Sequence, residues 1–63
     1  AAVLAAAQTF EDLGVAAYNG AGVRITNTAN LVIAGQIVSV EARHAAWIRD
    51  QRTNLAACFP GTA

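Results

Sequence analysis

The chain has 63 residues, of which 56% are hydrophobic and 13% charged, against about 25% charged in an ordinary soluble domain. It is too apolar for a disordered segment and too short to hide its apolar surface in one small core, so a second copy or more chain is expected to cover it. Zero net charge, with Arg24, Arg43, Arg49 and Arg52 forming no run, leaves no footprint for nucleic acid.

The most apolar stretch, Leu31 to Ile48, holds Glu41, Arg43 and His44, which argues against a membrane span. Cys58 is the single cysteine, so an internal disulfide and a Cys-rich zinc site are both excluded. The sequence holds no methionine and begins inside an Ala-rich helical pattern. That start predicts either a removed leader or a piece of a longer protein.

Taken in chain order, the first expected element is a helix over about residues 2–19, rich in Ala, Leu and Gln. Leu4, Ala7, Glu11, Val15 and Tyr18 recur at spacings of three and four, which marks one helical face. Val3, Ala6, Phe10, Leu13 and Ala17 form a second stripe beside it. The helix is therefore expected to be buried on more than one side. Gly14 inside it points to close packing against a neighbour. Gly20-Ala21-Gly22 is expected to end it.

Residues 20–29 form the expected connection, with Thr26, Asn27 and Thr28 suited to capping a helix or making a turn. A second helix is predicted over about residues 30–53, with an apolar stripe of Ile33, Ile37, Val40 and Ile48 and Trp47 beside it as a core anchor. Arg43, Asp50 and Arg52 fall away from that stripe. Residues 54–63, with Pro60-Gly61, lack period and are expected to be irregular. The chain is thus expected to be all-α, one antiparallel helical hairpin.

The placement of charge suggests chemistry. Glu11 lies one heptad from Leu4 and from Tyr18, and Glu41 one heptad from Ala34 and from Ile48. His44 lies one heptad from Ile37, and Glu41 and His44, at i and i+3, project to one side of the helix. A carboxylate on a buried face is costly unless it is paired or bound to metal. Carboxylates with imidazole suit iron, manganese or zinc. Carboxylate-bridged two-metal bundles use a Glu from each of two helices and a Glu-x-x-His from each of the other two. Glu11 with Glu41-x-x-His44 is half of that set, and two copies would supply all of it.

The segments Phe10-Glu11-Asp12-Leu13-Gly14-Val15-Ala16-Ala17-Tyr18 and Val40-Glu41-Ala42-Arg43-His44-Ala45-Ala46-Trp47-Ile48-Arg49 resemble the third and fourth helices of a ferritin-like domain. The resemblance is to the domain of desiccation-related plant proteins and of bacterial and fungal secreted proteins. It covers about residues 1–53. Either segment alone is a weak signal; the pair is specific. The resemblance implies the C-terminal half of a ferritin-like four-helix bundle, completed by a second copy or by missing chain. It implies a two-metal centre, with iron ahead of manganese and zinc and with Glu11, Glu41 and His44 as ligands. An extracytoplasmic location follows from the resemblance alone.

Each residue also has a plainer role. Glu-x-x-His on a helix is ordinarily a solvated pair. Tyr18 could donate to a ligand carboxylate or simply pack in the core. Arg43 could orient a ligand or pair with an acid. Cys58 suggests no chemistry. Two functions follow: a ferritin-like metal-binding protein with redox or iron-oxidising chemistry, or a structural helical module in a larger assembly with no active metal site.

Overall fold

In the computed structural model, which describes residues 2–59, helix α1 spans Ala2–Gly22 and helix α2 spans Thr28–Cys58. Among the described residues there is no strand. Gln8 meets Arg52, Asp12 meets Arg49 and Gly14 meets Glu41, so numbers rise along α1 as they fall along α2. The two helices are therefore an antiparallel hairpin. Its longest dimension is 47 Å, which matches about 46 Å for a helix of the length of α2.

The connection between them is residues 23–27. Arg24 N–H donates to the Ala21 carbonyl at 2.9 Å, and Ile25 N–H to that of Gly22 at 3.3 Å. Asn27 is extended at φ −77°, and its side-chain oxygen accepts from the Asn30 N–H at 3.1 Å, which caps α2.

Both helices run further than the sequence pattern predicts. α1 continues through Gly20 and Gly22 rather than stopping near Asn19. Glycine weakens a helix by about 1 kcal/mol but keeps its backbone donor, and neither glycine meets another group within 4 Å. α2 passes through residues 54–58, expected to be irregular, because Leu55, Ala56 and Ala57 are good helix formers. It stops where Phe59 N–H closes onto the Leu55 carbonyl at 2.8 Å. The next residue is the proline, which disfavours helical backbone at Phe59. Residues 60–63, and with them the rest of the expected irregular tail, lie outside the described residues.

On α1 the inward face is the first predicted stripe: Leu4, Ala7, Glu11, Val15 and Tyr18 are all half-buried. The second stripe is exposed, with Val3 at 80% and Phe10 at 73% of full accessibility. A single neighbouring helix covers only one side of α1. On α2 the seam is turned from its predicted position. Ala34, Ala45 and Ile48 are buried, and Val38, Glu41, Arg52 and Leu55 are half-buried. Ile33, Ile37, Val40 and Trp47 stay exposed, so Trp47, at 61%, does not anchor this interface. Ala34 and Ala45 on the seam let the backbones approach beside Ile48, while Ile33, Ile37, Val40 and Trp47 turn outward. Arg52, expected to fall away from the seam, instead donates to Gln8 Oε1 at 2.7 Å across it.

Candidate metal centre

Glu11 and His44 meet across the hairpin. Nδ1 of His44 lies 3.5 Å from Oε1 of Glu11, with the glutamate side chain 28% exposed and the imidazole 59% exposed. Helical spacing brings them together: Glu11 is on the inward face of α1, and His44 is one turn beyond Glu41 on α2. Two donors bound to one cation at about 2.1 Å each, in tetrahedral array, stand about 3.4 Å apart. The Glu11–His44 separation is of that size.

Glu41 projects toward α1 over Gly14. A methyl group at position 14 would lie 2.9 Å from the Glu41 carboxyl carbon and closer still to Oε2. Oε2 is buried and has no hydrogen-bond partner. A carboxylate oxygen held out of water without a donor is unfavourable, and a cation is one group that would satisfy it. Gly14 is one turn from Glu11, and Glu41 one turn from His44, so the four positions form a short ladder across the seam. Two carboxylates and an imidazole fit iron, manganese or zinc by donor chemistry. Among the described residues, no three His, Cys, Asp or Glu side chains converge tightly enough to hold an ion by themselves. The hairpin offers donor groups but, among the described residues, no closed coordination shell.

The neighbouring residues have clear places. Tyr18 is half-buried on the same face of α1, two turns beyond Glu11. Arg43 is exposed on α2. Cys58 is exposed and free. Beside Glu11, at Asp12 and one turn back at Gln8, a polar clasp joins the two helices. Arg49 Nη2 donates to both carboxylate oxygens of Asp12 at 2.7 Å, beside the Arg52–Gln8 bond. A groove of about 340 Å³ lined by Gln8, Arg49, Arg52, Thr53 and Ala56 opens there. Sequence reasoning did not pair these four residues. Their signal was two polar residues four apart on α1 facing two arginines three apart on α2.

The ferritin-like domain family model matches residues 1–54, most of the chain. The chain belongs to the ferritin-like domain family. Searches of curated proteins and of solved structures find no significant match. The two helices of this ferritin-like chain pack as expected for half of such a bundle. Neither is long and apolar enough to cross a membrane.

Proposed function

We propose that this ferritin-like chain binds a transition metal through Glu11, Glu41 and His44 once its open faces are covered. The buried, partnerless Oε2 of Glu41 supports this reading most directly. The Glu11–His44 approach at 3.5 Å supports it independently. Glu11 would supply a carboxylate from α1, and Glu41 and His44 would supply carboxylate and imidazole from one turn of α2. A bound pair of iron or manganese ions would supply redox chemistry toward dioxygen or peroxide. The protein's own part is to present the two carboxylates on the seam between the helices and to keep the imidazole of His44 facing Glu11.

A second copy of the hairpin, or two further helices of a longer chain, would complete the donor set. The uncovered faces support this. His44 lies in line with Ile37, Val40 and Trp47, an apolar stripe that is open to solvent. Whatever covers that stripe also covers His44.

The second reading is a structural module that packs through the same apolar faces and holds no ion. Metal content of the purified protein, measured for wild type, Glu41→Ala and His44→Ala, separates the two. Bound iron, manganese or zinc in wild type that is lost in both variants supports the metal reading. Metal content unchanged by both substitutions, or absent throughout after loading with each metal, supports the structural module.

A further inference from the structure

We infer that Gly14 is a positioning residue: its missing side chain makes the notch in α1 that holds the Glu41 carboxylate on the seam. This inference rests on the metal reading for its purpose but not for its geometry. Gly14 is half-buried in the middle of α1, where glycine is disfavoured relative to alanine. No turn or helix end requires it, and its φ is not in the left-handed region. What does require a glycine is space. All three nearest atoms to a Cβ at this position belong to the Glu41 carboxylate, with the carboxyl carbon at 2.9 Å and Oε1 at 3.1 Å. No backbone atom of α2 is among them.

The obstruction is therefore the far end of a flexible side chain. An added methyl group moves the carboxylate and leaves the helices where they are. Gly20, Gly22 and Gly35 meet nothing within 4 Å, so the notch is particular to Gly14 among these glycines. Glu41 Oε2 occupies that notch, buried and without a donor. A side chain free to choose would turn to solvent instead. The notch gives Glu41 room to stay inward, one turn from the Glu11–His44 pair.

Two measurements on the full chain test this. The first is thermal unfolding of the metal-free protein as a cycle of wild type, Gly14→Ala, Glu41→Ala and the double variant. Gly14→Ala should raise the melting temperature more in the Glu41→Ala background, where no carboxylate must leave. Equal shifts in both backgrounds overturn the contact. Glu41→Asp, which withdraws the carboxylate by one methylene, provides a third background, in which the added methyl should again be better tolerated than in wild type. The second measurement is titration with cobalt(II) chloride, followed by visible absorption. Gly14→Ala should weaken cobalt binding about 10- to 100-fold, the range for a residue that orients a ligand, while the helical circular dichroism is retained. Wild-type affinity and an unchanged spectrum in Gly14→Ala overturn the positioning role. A wild-type chain that takes up no cobalt overturns the metal reading and the purpose assigned to the notch, while the melting cycle still decides the contact.

Discussion

His44 Nδ1 and Glu11 Oε1 stand 3.5 Å apart on opposite helices, yet more than half of the imidazole surface faces solvent. Even a fully charged exposed pair contributes only about 0.2–1 kcal/mol, and less as salt rises. As a structural contact it is therefore minor. Its interest lies in what joins it, since Glu41 is held inward one turn away.

The first prediction follows from that weakness. Glu11→Gln and His44→Gln should each change the stability of the metal-free protein by less than about 1 kcal/mol. With metal added, wild type should gain stability by mass action and the variants should gain much less. Melting curves with and without excess metal check this. A gain of equal size in all three proteins would mean that neither residue is a ligand.

Glu41 should behave in the opposite way. Its buried, unsatisfied oxygen makes it a liability whenever no cation is bound. Glu41→Met keeps the length of the side chain and removes the stranded oxygens. Metal-free Glu41→Met should be more stable than wild type by about 1 kcal/mol, the low end of the usual penalty because the residue is only half-buried. Chemical denaturation measures the difference directly. A less stable variant would show that Glu41 makes a favourable interaction in the folded state.

The inward face of α1 was legible from spacing alone, because Leu4, Ala7, Glu11, Val15 and Tyr18 keep one helical period and one neighbour covers them. On α2 the predicted stripe of Ile33, Ile37, Val40 and Ile48 holds only at Ile48, which the structure buries with Ala34 and Ala45, while Ile33, Ile37 and Val40 are exposed. Hydrophobicity ranks side chains by size. Close helix packing instead favours the small residues, and the large ones are left for a further surface. The place of Glu41 on the seam could be read from its heptad offsets, because Ala34 and Ile48 are both buried there, whereas the offset of His44 leads to Ile37, which is exposed. The fit of the Glu41 carboxylate over Gly14 could not be read, because that depends on a residue of the other helix and not on the glutamate itself. The same limit hid the Asp12–Arg49 clasp, whose partners are far apart in the chain and carry no shared motif.

That clasp supplies the third prediction. A single guanidinium nitrogen of Arg49 reaches both oxygens of Asp12 at 2.7 Å, but both side chains are well exposed. A double-mutant cycle with Asp12→Ala and Arg49→Ala should give a coupling of about 0.5 kcal/mol, within the range for surface pairs. The coupling should shrink toward zero in 1 M salt, where charges are screened within about 3 Å. A coupling that does not respond to salt would point to packing of the arginine stem instead of charge.

The last prediction concerns the uncovered faces. The hairpin exposes 4471 Å², against about 3,800 Å² for a compact protein of this mass. Its buried apolar core among the described residues is Ala34, Ala45 and Ile48. So small a core does not offset the entropy of ordering the chain. Val3, Phe10 and Leu13 on α1 and Ile37, Val40 and Trp47 on α2 remain in water. The chain on its own should therefore associate, and sedimentation equilibrium should return a mass above the 6.5 kDa of the monomer. Helical circular dichroism should fall on dilution together with that mass, because folding and association are then one equilibrium. Phe10→Ser combined with Trp47→Ser removes two large exposed rings without touching the seam inside the hairpin. The double variant should shift association to higher concentration. A folded, helical monomer at micromolar concentration, unchanged by this double substitution, would show that the seam alone sustains the fold.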